Sequence, residues 1–227
     1  MLRALGHPAS ILGLLAGFVI GLFVIAGVQR LTARLLKVRL LPAERGVLAY
    51  LDPYGAVAAV LGGSGWPAAV TPVARTGWND RNSKSRTNLV LLSGPIALAV
   101  VSAGLLAGFA ASNDLWRLIL HEIRLHDVIS GMSGPNGQVF LLCAGLEAAV
   151  MALLALVPLP PLTGWALLVV NLKPTLNWQK TRMYAEERNI GVLVLLVLTV
   201  LPLGGSLPIL LLIIDAIVHA ILQAVAG

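Results

Sequence analysis

Residues 46–70 read GVLAYLDPYGAVAAVLGGSGWPAAV. The stretch is apolar enough for a membrane. It is also broken by Asp52-Pro53, Gly55, Gly62, Gly63, Gly65 and Pro67. Irregular backbone facing lipid would leave its amides with no water to bond. The segment is therefore read as packed inside protein or as re-entrant, entering and leaving on one side.

The rest of the chain supports a membrane setting. Of 227 residues, 58% are hydrophobic and 11% charged, against about 25% charged in an average soluble domain. Mean hydropathy is +0.89. These values exclude a soluble globular domain, a disordered tail and a nucleic-acid-binding module. The net charge of +6 is read as cytoplasmic loops rather than a basic ligand site. One cysteine, Cys143, allows no internal disulfide and reads as a small packed side chain.

A crossing helix needs ~20 mostly apolar residues. Residues 9–28 form the first such run. It is read as a retained helix, because it is too long for a signal-peptide core and Arg-rich sequence follows it. Residues 88–111 form a clear span. Residues 138–170 are long and apolar, but Pro158, Pro160 and Pro161 must break the run. Residues 190–226 read as two helices joined by a tight turn at 202–208. Loops 29–45, 71–87 and 171–189 carry five, four and four basic residues against one, one and two acids. Loop 112–137 has two arginines and three acids. The positive-inside rule puts the first three loops in the cytoplasm. That requires 46–70 to return to its own side. The expected fold is an all-α polytopic membrane protein of about five transmembrane helices plus one re-entrant element. Residues 1–172 form its core, 173–189 a cytoplasmic loop and 190–227 a C-terminal helical hairpin.

Four motifs follow one another in a familiar order: Leu51-Asp52-Pro53-Tyr54-Gly55, then Gly65-Trp66-Pro67 with Val70-Thr71-Pro72-Val73, then Ser93-Gly94-Pro95, then Val157-Pro158-Leu159-Pro160-Pro161-Leu162-Thr163-Gly164. Together they resemble the site-2 protease family of intramembrane zinc metalloproteases over roughly residues 15–172. The resemblance implies a site-2 protease-like core with Asp52, Pro53, Gly55, Gly94, Pro95, Pro158, Pro160, Pro161 and Gly164 as scaffold positions. It also implies a zinc held by His-Glu-x-x-His on the first core helix and by a later aspartate, the glutamate serving as general base. The helix here reads Phe23-Val24-Ile25-Ala26-Gly27-Val28-Gln29-Arg30-Leu31-Thr32-Ala33. Ala26, Gly27 and Arg30 stand at the degenerate ligand positions, and Thr163 replaces the aspartate. Between His7 and Glu44 there is no histidine and no acid. A catalytic zinc needs three protein ligands. The resemblance therefore implies a pseudoprotease without a cofactor.

Other groups could supply a replacement site. His121-Glu122-Ile123-Arg124-Leu125-His126 has one residue too many for the zinc motif, so a continuous helix would place the two histidines ~140° apart. It reads as a solvated loop or, more sharply, as a metal site. Glu147 lies inside an apolar stretch, and Asp215 and His219 share a helix face at i,i+4. These three are read as buried interhelical hydrogen bonding or a partner contact, with a proton relay or a metal cluster as rivals. Arg30 and Arg34 read as snorkelling side chains or as a salt-bridge pin replacing the metal. Trp66, Trp78, Trp116, Trp165 and Trp178 read as an interfacial belt.

The functional expectation is a catalytically inactive integral membrane protein. It would act as a scaffold, regulator or accessory subunit in a bacterial plasma membrane, with the bilayer and a transmembrane protein or larger membrane complex as partners. The rivals are an intramembrane metalloprotease with non-standard ligands and a small transporter or proton path.

Overall fold

The computed structural model describes residues 4, 6–40, 51–67, 81–173, 175–202 and 207–226, with the side chains of 81–83 and 225–226 left aside. The described residues are helical, apart from connecting turns and one isolated antiparallel bridge between Leu51 and Pro67. The helices are α1 (Pro8–Leu35), α2 (Pro53–Gly62), α3 (Arg81–Ser112), α4 (Trp116–Glu122), α5 (Leu125–Ser130), α6 (Asn136–Leu154), α7 (Thr163–Asn171), α8 (Leu176–Arg182), α9 (Ile190–Val200) and α10 (Ile209–Ala226). A π-helical turn at Met183–Glu187 follows α8.

Among the described residues three helices are long and apolar enough to cross a membrane: Pro8–Leu35, Lys84–Ser112 and Asn136–Leu154. With 11 residues, α9 rises only about 17 Å, short of the ~30 Å hydrocarbon core. Five full crossings are thus not reached among the described residues.

The bundle of α1, α3 and α6 is set by small residues. Gly13, Gly17 and Gly21 form a stripe on α1. A Cβ added at Gly13 would stand 2.7 Å from Phe140 O, and one at Gly17 2.6 Å from Ala144 O. Without side chains there, the two backbones meet closely. Such small-residue seams suit membranes, where burial supplies no drive between helices and packing must do it. The stripe meets Cys143, Glu147 and Met151 in ascending order, so α1 and α6 run parallel. Ser102 Oγ on α3 donates to Gly145 O at 2.7 Å, Asn113 pairs with Gln138 at 3.0 Å and Gln29 reaches Leu91 O. These contacts make α3 antiparallel to both.

The end of α1 and the start of α3 therefore lie at one end of the bundle. Asn88 and Asn171 exchange two amide hydrogen bonds of 3.0 Å there, which brings α7 to the same end. The basic stretches after α1, at the start of α3 and after α7 accordingly share that end. Residues 112–135 lie at the other, where Ser10 Oγ accepts from Met132 N at 3.0 Å.

Between α1 and α3, residues 51–67 form a hairpin of their own. Pro53 occupies the first helical turn of α2, where its missing N–H costs nothing. Asp52 caps the helix, Oδ1 accepting from Tyr54 N at 2.8 Å and Gly55 N at 3.3 Å, while Oδ2 accepts from Trp66 Nε1 at 3.1 Å. Gly63 ends α2 with φ +105°, a left-handed value that favours glycine. Gly55 and Gly65 let the arms touch, since a Cβ at either would stand about 2 Å from the other arm's backbone. The hairpin's ends meet at Leu51 and Pro67, and its tip presses Gly63 against Ile129 of α5.

The C-terminal helices cover this core. A Cβ at Gly62 would meet Thr199 O of α9 at 2.1 Å, so α9 lies directly on the hairpin. α10 packs on α4 and α6.

Candidate functional site

The resemblance expects a metal at the junction of α1, α3 and α7. Pro95 lies inside α3 and has no N–H, so the carbonyl four residues earlier, Leu91 O, loses its helical partner. Gln29 supplies another: its Nε2 donates to Leu91 O at 2.8 Å. Gly94 makes room, because a Cβ there would stand 2.9 Å from Gln29 Cγ and from Ile25 O. The same Nε2 lies 3.3 Å from Thr163 Oγ1 at the start of α7. Gln29 is 1% exposed. One buried amide thus joins α1, α3 and α7.

Thr163 is aimed by the turn before it. Residues 155–162 fold back so that Gly164 N donates to Ala155 O at 2.8 Å. A Cβ on Gly164 would fall 2.1 Å from Leu156 O, so only glycine permits the turn. The Pro160–Pro161 bond is cis, and Pro160 packs on Gly191 at the start of α9. Pro158 is exposed.

The α1 residue that meets Thr163 is Gln29. Ala26 is fully buried one turn earlier, and Gly27 has open space where a Cβ would be. Ala26, Gly27 and Arg30 bear the degenerate-ligand reading; Ile25 and Gln29 are the α1 residues that meet Gly94, and Gln29 meets Thr163. The sequence reading passed over Gln29. A polar side chain four residues after Ile25, in a helix whose one other polar side chain from 8 to 28 is Ser10, was the available signal.

The junction does not fit zinc. An amide NH₂ group is a donor with no lone pair to offer, and a threonine hydroxyl is a poor ligand beside carboxylate, imidazole or thiolate. Among the described residues no group of three or more His, Cys, Asp or Glu side chains is gathered to hold a metal ion.

The other candidates are separated. His121 is on α4 and His126 on α5, with Ile123 and Arg124 between the helices. No continuous helix carries both. His126 Nδ1 lies 3.5 Å from Ser130 Oγ. Asp215 and His219 do share a face of α10, and that face grips the α4–α5 connection. Asp215 Oδ1 accepts from Leu125 N at 2.7 Å, and Oδ2 lies 3.7 Å from Arg124 Nη1. His219 Nδ1 donates to Ile123 O at 3.2 Å, and Gln223 Nε2 donates to His219 Nε2 at 2.8 Å. Glu147 is fully buried and neither carboxyl oxygen has a hydrogen-bond partner. The three therefore do not form one hydrogen-bonded cluster: two clasp a loop and the third stands apart.

Trp66 also departs from the belt reading, being fully buried against Asp52. Trp165 and Trp178 pack with ring centroids 5.2 Å apart, and Trp165 Nε1 donates to Glu186 Oε1 at 2.7 Å. Trp78 lies outside the described residues, as do Val70, Thr71, Pro72 and Val73 and most of loop 71–87.

Among the described residues these features define a helical protein with three helices long and apolar enough to cross a membrane, arranged around a buried amide–hydroxyl junction. Over 156 residues the chain is 27% identical to the Bacillus subtilis (strain 168) protein described as "Putative zinc metalloprotease YwhC". The match takes in 69% of this chain and 64% of that relative, so the chain spans less than two-thirds of the relative's length. It suggests a distant, peptidase-like relationship. No family model matches the chain, and no solved structure matches it.

Proposed function

We propose that the chain is a non-catalytic membrane protein on a site-2 protease-like scaffold, holding or regulating a transmembrane partner in a larger complex. The observation that carries this reading is the Gln29 amide donating to Leu91 O and Thr163 Oγ1. It occupies the place where the resemblance puts metal ligands, and its chemistry is that of a structural pin. In this reading α1, α3 and α6 cross the bacterial plasma membrane, residues 51–67 are re-entrant, and the basic segments face the cytoplasm. Residues 1–172 are the core, 173–189 a cytoplasmic connection and 190–227 a helical pair closing over the hairpin. The lipid-facing helix surfaces are the partner's route of approach.

The test is metal content of the mildly purified protein, with co-purifying chains identified from the same sample. The expected result is no stoichiometric zinc and a stoichiometric membrane partner. Stoichiometric zinc that disappears on His219→Ala or His121→Ala would replace this reading with a protease using relocated ligands.

A further inference from the structure

We propose that residues 173–188 form an arm that lies in the headgroup layer of the membrane and binds anionic phospholipid through Lys173, Lys180 and Arg188. The arm consists of α8 and the π-helical turn Met183–Glu187. Trp178, Arg182 and Glu186, spaced four residues apart, form its half-buried inner side. Trp178 packs on Trp165 of α7. Glu186 accepts from Trp165 Nε1 at 2.7 Å and pairs with Arg182 Nη2 at 3.0 Å. The arm is thus fastened to α7. That helix is tied in turn to α1 through Thr163 and Gln29, and to α3 through Asn171 and Asn88. On α3 the apolar run begins at Leu89, and Lys84 and Arg86 precede it. The arm is therefore attached at the depth where a crossing helix passes from hydrocarbon to headgroups.

The outer side of the arm has the composition of that layer. Leu176 is 78% exposed, more than any other large apolar side chain among the described residues, and Met183 and Tyr184 are exposed as well. Leu176, Lys180 and Met183 stand at i, i+4 and i+7, so a cation sits between two apolar residues on one face. Lys173, Lys180 and Arg188 are all exposed. Arg188 stacks on Tyr184, 4.8 Å from the ring centroid, which leaves the edge of its guanidinium free for phosphate. Facing water, such a surface wastes its apolar side chains. In the headgroup layer they reach the acyl boundary while the cations reach the phosphates. Arg182 is taken by Glu186. Among the described residues none of the other three cations lies within ion-pair distance of a carboxylate. Three cations against the one remaining acid, Glu187, leave a surplus. That surplus selects a headgroup whose phosphate has no ammonium of its own. The proposal rests on α1, α3 and α6 crossing a membrane. It owes nothing to the protease-like reading, so zinc content and partner capture do not bear on it.

The experiment places an environment-sensitive fluorophore at Leu176→Cys of the full chain, one copy per nanodisc. The unsubstituted chain, whose Cys143 is buried, is the labelling control. Phosphatidylglycerol is titrated into phosphatidylcholine. The emission is expected to move to the blue and saturate, to return in high salt, and to ignore glycerol phosphate added in solution. Lys180→Gln should raise the phosphatidylglycerol-to-phosphatidylcholine ratio at half-shift about fivefold. Combining it with Lys173→Gln and Arg188→Gln should abolish the shift. A second label at Val100→Cys, exposed midway along the apolar run of α3, reports the crossing itself through quenching by lipids spin-labelled deep in the acyl chain. With that label quenched, equal emission from position 176 in both lipids overturns the proposal, and so does an equal shift in the triple variant. Shielding of position 176 that arises only in discs holding two copies overturns it too, and gives the face to a second copy of the chain. An unquenched label at position 100 overturns the crossing, and the proposal with it.

Discussion

Replacing Gln29 with methionine isolates the junction amide, because methionine keeps the length and removes both donors. The side chain is 1% exposed, so water does not replace it. Leu91 O then loses its 2.8 Å partner, while Thr163 Oγ1 loses only a 3.3 Å contact. An orphaned buried acceptor costs about 1–3 kcal/mol. Interhelical hydrogen bonds in membranes average ~0.6 kcal/mol and reach ~1.7. The expected loss for Gln29→Met is therefore about 1–1.5 kcal/mol, read by reversible denaturation in mixed micelles. The decisive comparison uses Pro95→Ala. Alanine at 95 restores the N–H that Leu91 O is missing, so the carbonyl no longer depends on Gln29. In that background Gln29→Met is expected to cost at most about 0.5 kcal/mol, a coupling of about 1 kcal/mol. Independent sites add to within about 0.5 kcal/mol. Equal costs in the two backgrounds would refute the view that Gln29 serves the carbonyl freed by Pro95.

Three further outcomes follow from the packing. Gly17→Ala places a methyl 2.6 Å from Ala144 O and should cost ~1–3 kcal/mol by overpacking. Gly27→Ala, with nothing within 4 Å of its Cβ, should be neutral or gain up to ~1 kcal/mol; the two Tm values must move apart. Asp52→Ala removes the α2 cap and the Trp66 partner, for about 1–2 kcal/mol, and should alter the emission of buried Trp66. Asp215→Ala should speed hydrogen exchange at the Leu125 amide, which Asp215 holds at 2.7 Å. Arg124→Ala should leave that exchange nearly unchanged, since a 52% exposed guanidinium at 3.7 Å contributes at most ~1 kcal/mol.

The long apolar runs were legible because hydropathy over ~20 residues is a strong signal. The irregular composition of 46–70 announced a segment that turns back, and the described part of it does so between Leu51 and Pro67. The extent of α1 was less legible: its helix continues to Leu35 through Arg30 and Arg34, because long basic side chains are good helix formers. The last apolar stretch suggested two crossings from composition alone. Composition does not fix where the helix stops, and α9 ends after 11 residues. The site was the least legible. The residue that meets Thr163 is Gln29, one position before Arg30, and a single residue turns a helix by ~100°.

That shift bears on how far a motif resemblance reaches. Asp52 caps a helix and holds Trp66. Gly94 admits Gln29, and Pro95 frees the carbonyl that Gln29 takes. Gly164 closes the turn that aims Thr163. Each of these positions has a packing or backbone duty that is complete without a metal. The motifs therefore argue for an arrangement of helices, and they would argue for it equally in a protease and in a protein with no chemistry. Catalysis has to be argued from donor atoms instead. At the junction of α1, α3 and α7 those atoms are an amide NH₂, a hydroxyl and a backbone carbonyl. This set fastens three helices together and offers no base to activate water.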